Sequence, residues 1–347
     1  MLKKTGEVCD NIGSMQIVNS QLLTGKKVLL RYDIDVALRL PSVAQGKPSV
    51  AEDFKLRAGI PTLKLCLDNA SQVILIGHIG RPEGRVVEEL RVAPIVDWFR
   101  DQGYSADLDS GKLKILENLR FDPREEAGDK EYANELAAMG DFYVNEAFSS
   151  YRPAASTTIL PTLLPHATGL RFAEEVRVLK GVREHPKKPF IAIMGGAKVE
   201  DKLPVIKVLA SNADAILVGG KLVAEIREKN ITLPANVLVG KLSEDGLDIA
   251  SQTSQAWSSL ISKAAQIVWN GPVGKFEDPK NEQSAKLAQI VIESKAELVI
   301  GGGDTVSLLG SVGLLEEYEK KGFVSVGGGA MLKLLADGTL PTIEALK

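Results

Sequence analysis

Cysteine and histidine are scarce in this 347-residue chain: Cys9 and Cys66 are its two cysteines, His78, His166 and His185 its three histidines. Two cysteines cannot build a disulfide framework or a Cys-rich zinc site, which suits a reducing compartment. The histidines are scattered, without the His-Glu-x-x-His spacing of a zincin-like metal site. No apolar run approaches the ~18 residues of a membrane span, and Met1–Glu7 lacks the apolar stretch of a secretory signal. A cytoplasmic protein without a membrane partner is expected. A net charge of −3 offers no broad cationic footprint for nucleic acid. The common catalytic signatures are missing as well. No Gly-Lys pair is followed by Ser or Thr, which excludes a Walker A loop. No G-x-G-x-x-G follows a strand-like run, which disfavours a dinucleotide dehydrogenase, and the G-x-S-x-G elbow of the α/β-hydrolases is absent.

What is present is unevenly distributed. At 347 residues the chain is too long for one core, and two domains are expected. Thirteen of its 14 arginines lie at or before Arg183, the exception being Arg227. Every Gly-Gly pair lies later: Gly195-Gly196, Gly219-Gly220, Gly301–Gly303 and Gly327–Gly329. Arginine offers a planar donor fork for carboxylates and phosphates. Paired glycines let backbone N–H groups approach an anion closely. The two halves therefore offer different means of binding negative charge.

Each glycine cluster closes a short apolar run and precedes a stretch with helical spacing. Phe190–Met194, Ala215–Val218, Leu298–Ile300 and Phe323–Val326 are the runs; Lys198–Leu209, Leu222–Glu228, Asp304–Leu309 and Ala330–Leu335 are the helical stretches. Strand, Gly-rich turn and helix in repetition predict an open parallel α/β sheet. Its ligands bind at strand carboxyl ends, against helix N-termini. In the first half, Val28–Asp33, Val73–His78, Leu113–Glu117 and Phe142–Glu146 read as strands; Lys55–Asp68, Glu88–Arg100 and Lys130–Met139 read as helices. Arg31, Arg81, Arg120 and Arg152 fall in or just beyond those strands, a rim suited to a small polyanion. Phe172–Gly181 reads as helical and is broken by Pro186–Pro189, which places a connector at 168–188. Anion binding without an evident base or nucleophile fits phosphoryl transfer to an acceptor that is already ionised.

The motifs themselves resemble those of the phosphoglycerate kinase family. Trp269-Asn270-Gly271-Pro272-Val273-Gly274-Lys275-Phe276-Glu277, Met194–Lys202, Gly301–Thr305 and Gly327–Ala330 carry the resemblance in the second half. His78-Ile79-Gly80-Arg81-Pro82-Glu83-Gly84 and Leu116–Phe121 carry it in the first, in the family's order. The resemblance implies two Rossmann-like α/β domains with parallel sheets joined by a hinge helix. It divides the chain into a phosphoglycerate-binding domain (1–167), the connector (168–188), a nucleotide-binding domain (189–325) and a Gly-rich loop with a C-terminal segment returning toward the first domain (326–347). The implied reaction is reversible transfer between ATP and the carboxylate of 3-phosphoglycerate, giving ADP and 1,3-bisphosphoglycerate, by hinge closure. Mg²⁺ accompanies the nucleotide, and a monomer is expected.

By the same resemblance Asp33, Asp35, Lys55, His78, Arg81, Arg120 and Arg152 hold the acceptor, the aspartates taking its hydroxyl and the arginines its phosphate. Lys198, Lys202, Gly219, Gly220, Asn270, Glu277, Gly302, Gly303, Asp304 and Thr305 hold the nucleotide, with Asp304 as the protein's ligand to Mg²⁺. Lys55, Lys198, Gly328 and Gly329 serve the transfer itself. The chain also departs from the family pattern. Asp35 stands where the family has asparagine, and Lys55 where it has the catalytic arginine; Arg57 lies two residues on. The segment Ser149–Ser156 keeps Arg152 but has no histidine, and Lys221 replaces a third glycine. These departures leave open an alternative, a phosphoglycerate- and nucleotide-binding protein with much reduced turnover.

Overall fold

The computed structural model describes residues 11–39, 47–196, 199–278 and 280–347; Cys9 and Lys198 lie outside them. Two compact units result, one formed by the chain up to Arg177 together with Leu340–Lys347, the other by Val178–Thr339. Each is a parallel sheet with helices between successive strands.

In the first unit the strands are β1 (Lys27–Arg31), β2 (Gln72–Ile76), β3 (Leu113–Ile115), β4 (Phe142–Asn145) and β5 (His166–Thr168). Their order is β3-β2-β1-β4-β5, all parallel. Helices α1 (Phe54–Asn69), α2 (Ala93–Phe99) and α3 (Lys130–Ala137) lie between them. Strand β1 is buried on both faces after Lys27, with Val28–Leu30 apolar, as a strand covered by helices must be. The single helix expected over Glu88–Arg100 is two pieces: a 3₁₀ turn at Glu88–Leu90, then α2. Arg91 binds Glu88 and Glu117 there, and Pro94 sits in the first turn of a new helix, where its missing N–H is harmless.

Helix α4 (Leu170–Glu184) carries the chain from one unit to the other, the boundary falling between Arg177 and Val178. Its first turn is capped by side chains of the first unit: Thr62 Oγ1 accepts from the Leu170 N–H at 2.9 Å, and Glu146 accepts from Arg171 and Phe172, each at 3.1 Å.

The second unit has β6 (Phe190–Met194), β7 (Ala215–Val218), β8 (Val237–Val239), β9 (Gln266–Asn270), β10 (Glu297–Gly301) and β11 (Phe323–Val324) in the order β8-β7-β6-β9-β10-β11. Between them run α5 (Val199–Leu209), α6 (Lys221–Glu228), α7 (Ser251–Ile261), α8 (Gln283–Glu293), α9 (Gly303–Ser311) and α10 (Leu315–Lys321), and α11 (Gly328–Asp337) follows β11. The order reverses between β1 and β4 in one unit and between β6 and β9 in the other. Doubly wound sheets bind ligands at that switch point, beyond the carboxyl ends of the strands. Among the described residues, no helix is long and apolar enough to cross a membrane.

Candidate active-site halves

At the switch point of the first unit, β1 runs into Tyr32–Asp35. The Tyr32 hydroxyl donates to the Leu56 carbonyl at 2.6 Å, and Gly59 leaves room for its ring, which tethers this loop to the start of α1. Lys55 is thereby brought beside both aspartates. Its ammonium donates to the Asp35 carbonyl at 2.8 Å and lies 3.8 Å from Asp33 Oδ1. Asp33 is 4% exposed, and among the described residues neither of its carboxylate oxygens has a hydrogen-bond partner. A buried carboxylate in that condition is poised to accept hydrogen bonds from a ligand. Arg57 points elsewhere and pairs with Asp53 at 2.8 Å on the exposed side of α1.

The remaining groups come from loops after β2 and β3. Asn118 staples the two loops together: its amide donates to the Ile79 and Leu90 carbonyls, and its oxygen accepts from Ile79 and Arg120. Arg120 donates to the Gly80 carbonyl at 2.8 Å and faces Glu126 at 3.2 Å; burial holds its pKa below the ordinary arginine value. The Gly80 N–H in turn donates to Asp35 Oδ1 at 2.9 Å. Asp35 thus spends one oxygen on backbone, and its other oxygen lies 3.8 Å from His78 Nε2. His78 is buried. Burial first, then the cationic Arg31, Arg120 and Lys55, hold its pKa well below the ordinary imidazole value, so the ring is neutral.

Asp33, Asp35, Lys55, His78 and Arg120 are therefore brought together. Arg81 and Arg152 are exposed, and no side-chain contact among the described residues ties them to that group. The rim of four arginines expected from the sequence is incomplete, because Arg31 is 1% exposed and turned inward. Its guanidinium donates to Ser156 Oγ at 3.0 Å, the Tyr32 carbonyl at 2.9 Å and His78 Nδ1 at 2.7 Å. Sequence reasoning missed Glu125, which accepts from the Ser156 hydroxyl at 2.5 Å and from its N–H at 3.0 Å. Lying in a short polar Pro-Arg-Glu-Glu helix, it carries no local signal of burial.

The second unit builds its site from backbone. Register places Met194, Asn270 and Gly301 level across β6, β9 and β10, so three loops leave the sheet side by side. A Cβ on Gly195 would collide with the Pro272 and Gly271 carbonyl oxygens, and one on Gly328 with the Gly302 backbone. The loops are pinned further by Gly196 N–H to the Pro272 carbonyl (2.7 Å) and Gly271 N–H to Thr305 Oγ1 (2.7 Å), with Thr305 donating to the Gly301 carbonyl (3.0 Å). Lys202, 6% exposed, donates to Asn270 through its carbonyl (3.0 Å) and Oδ1 (2.6 Å). Burial pulls its pKa down to about 8, against the field of Asp304 and Asp201.

Asp304 is exposed in the first turn of α9, whose N-cap is Gly302, so it is not itself the cap. Gly303 and Gly329 are exposed beside it in sequence and in the α11 loop, where each opens a helix. Gly219 and Gly220 lie against Val273 and the Pro272 carbonyl, and Lys221 is the exposed first residue of α6. Glu277 is exposed in the loop after β9, with no hydrogen bond to the glycine loops among the described residues. No cluster of three or more His, Cys, Asp or Glu suited to a resident metal occurs among the described residues.

The sequence matches the family model "Phosphoglycerate kinase" over residues 18–230 and 223–338. It is 34% identical over 397 residues to the phosphoglycerate kinase of Herpetosiphon aurantiacus, covering 95% of this chain and 98% of that protein. The Roseiflexus castenholzii phosphoglycerate kinase is 33% identical over 391 residues, with 93% and 96% covered. Both alignments are longer than the 347-residue chain, so the relatives carry segments that it lacks. Among solved structures, phosphoglycerate kinase from Coxiella burnetii superposes with a TM-score of 0.77 at 25% identity, covering 96% of this chain and 98% of that one. The Pyrococcus horikoshii enzyme, at 23% identity and a TM-score of 0.73, shares the fold.

Proposed function

The chain belongs to the phosphoglycerate kinase family, and from that membership we infer that it catalyses reversible phosphoryl transfer between ATP and the carboxylate of 3-phosphoglycerate. A carboxylate oxygen of the acceptor attacks the γ-phosphorus, the bond to ADP breaks, and 1,3-bisphosphoglycerate and ADP result. No proton has to be removed from the nucleophile, so the protein needs to position charge rather than supply a base.

The observation that carries the acceptor site is Asp33, buried with neither oxygen hydrogen-bonded among the described residues and a lysine ammonium at 3.8 Å. In our reading Asp33 and Asp35 take the acceptor hydroxyl, neutral His78 donates from Nε2, and Arg81, Arg120 and Arg152 meet the phosphate. Lys55 supplies the cation from this half to the transferring group. In the nucleotide half, Lys202, Lys198 and the N–H groups opening α9 and α11, at Gly303, Gly328 and Gly329, meet the phosphates. Gly219, Gly220, Asn270 and Glu277 line the nucleotide. Both substrates must come within bonding distance, and we assign that approach to a hinge motion about α4.

Asp304 suits a Mg²⁺ that arrives with the nucleotide: one exposed hard oxygen donor, with phosphates and waters completing the shell. When bound, the ion neutralises charge on the phosphates. The alternative of a phosphoglycerate- and nucleotide-binding protein with much reduced turnover is not favoured, since the curated relatives above are named as kinases. A coupled assay with ATP, Mg²⁺ and 3-phosphoglycerate tests the reading: turnover must require all three. Asp304→Asn should reduce turnover far more than thermal stability, and equal loss of both with Mg²⁺ dependence unchanged would remove Asp304 from the metal site.

A further inference from the structure

Behind the acceptor site lies a buried polar chain that runs from His78 through Arg31 and Ser156 to Glu125. Glu125, Arg31 and His78 are all nine-tenths or more buried, and Ser156 is inaccessible. Arg31 cannot be hydrated, so its positive charge needs compensation inside the protein. Glu125 supplies it through one hydroxyl: Ser156 Oγ donates to Glu125 Oε1 at 2.5 Å and accepts from Arg31 Nε at 3.0 Å. The Ser156 carbonyl is in turn held by the Tyr143 hydroxyl at 2.8 Å.

The far end of this chain fixes a tautomer. A guanidinium has donors and no acceptor, so the 2.7 Å contact between Arg31 and His78 Nδ1 requires Nδ1 to carry a lone pair. The ring proton then sits on Nε2, the nitrogen nearer Asp35. Protonating Nδ1 would set N–H against N–H and break the contact. Arg31, Arg120 and Lys55 also face the ring as cations, and Asp35 is the carboxylate on its open side.

We propose that Ser156 and Glu125 are positioning residues of the acceptor site, which hold Arg31 so that His78 presents a neutral Nε2–H donor to the acceptor. Through Arg31 they set which nitrogen of His78 carries the proton, without touching substrate themselves. The kinetic half of this inference rests on the acceptor-site reading above; the tautomer half does not.

The experiment is nitrogen NMR of the full chain labelled at histidine, with His78 assigned by His78→Gln and with His166 and His185 as internal references. Wild-type His78 should give a neutral Nε2–H pattern from pH 5.5 to 8.5. A Nδ1–H or titrating His78 in the wild type overturns the proposal. Ser156→Ala should move both His78 nitrogens toward tautomer averaging and raise the ring's pKa. It should also raise KM for 3-phosphoglycerate roughly tenfold with KM for ATP unchanged, as loss of one buried hydrogen-bond link predicts. Ser156→Thr, which keeps the hydroxyl, should restore both. Glu125→Gln, which removes the charge and leaves one of the two oxygens that accept from Ser156, gives an intermediate shift and serves if Ser156→Ala does not fold. A lower Tm with unchanged His78 nitrogens and unchanged acceptor KM would make the chain purely structural and sink the proposal. A wild-type protein that lacks turnover yet shows the Nε2–H pattern, displaced in the variants, would fault the kinase reading and uphold the positioning.

Discussion

The two units share a strand order and differ in what they place at its reversal. Beyond β1 and β4 stand side chains: Asp33 beside the Lys55 ammonium, and His78 and Arg120 held by hydrogen bonds from neighbouring strands and loops. Beyond β6 and β9 stands backbone, with Gly195, Gly271 and Gly328 so close to neighbouring main chain that a Cβ there has no place to go. The difference is one of tolerance. A side-chain site can exchange one cation for another and keep its charge. A site made of packed backbone cannot accept even a methyl group.

The sharpest test of that contrast is Lys55. Lys55→Ala should lower kcat on the order of 10³-fold, the range of other cationic fingers in phosphoryl transfer, with both substrates still binding. Lys55→Arg should keep or raise turnover, because the charge is retained and a bidentate fork is gained. Arg57→Ala should change turnover less than about twofold, since an exposed i,i+4 pair with Asp53 contributes ~0.3–0.5 kcal/mol. Steady-state kinetics on the three variants decide the matter. A crippled Arg57→Ala with a mild Lys55→Ala would exchange their roles.

On the other side of the comparison, Gly195→Ala sets a methyl group against the Pro272 and Gly271 carbonyls, and backbone cannot rotate away as a side chain can. Overpacking of this kind costs about 1–3 kcal/mol or more, and nucleotide affinity should fall with it. Gly303→Ala is the control. Nothing lies within 4 Å of its Cβ position, so thermal unfolding should stay within ~0.5 kcal/mol of the parent. Equal behaviour of the two variants in calorimetry would refute the close-packed description of the nucleotide half.

The same contrast explains what was legible in the sequence. Backbone sites advertise themselves, because runs such as Phe190–Met194 and Ala215–Val218 end on glycine pairs that have few other uses. Parallel strands alternating with helices followed from that repetition; the order of the strands in each sheet did not. Short edge strands did not: His166–Thr168 and Val237–Val239 have three residues each, too few for a period. Side-chain sites are harder to read. Arg31 and Arg120 are alike as letters, yet one faces inward onto Ser156 and the other lies half-buried against Gly80. Burial of Glu125 depends on contacts 31 residues away in the chain, which no local pattern encodes.

Within the side-chain site, Arg120→Ala should exceed Arg152→Ala. Arg120 is partly desolvated and anchored on Gly80, whereas Arg152 is exposed and screened. Loss of a charge-assisted contact of ~1.5–3 kcal/mol raises KM for 3-phosphoglycerate by about 10- to 150-fold. Binding of ATP should be unchanged in both variants by titration calorimetry. A matched loss of ATP affinity would mean that the two units do not divide the substrates between them.

A pH effect concerns Lys202, a cation that the backbone-built site buries. Lys202 has a pKa of about 8 in the folded protein because burial disfavours its charge, against 10.5 for an unburied lysine. The sign for stability follows directly. Between pH 8 and 10.5 the unfolded chain holds this proton and the folded chain does not, so unfolding takes one up and the unliganded protein gains stability as pH rises. Nucleotide binding runs the other way, because phosphate oxygens favour the charged form. If only that form binds, affinity for ATP should be about tenfold weaker at pH 9 than at pH 7, the ratio of the protonated fractions. At pH 8.5 binding should also take up protons, which makes the calorimetric enthalpy depend on the ionisation heat of the buffer. Lys202→Arg remains charged throughout this range and should abolish both the pH dependence and the proton uptake. A buffer-independent enthalpy in the parent protein at pH 8.5 would show that Lys202 keeps its proton, with the carboxylate of Asp304 outweighing burial.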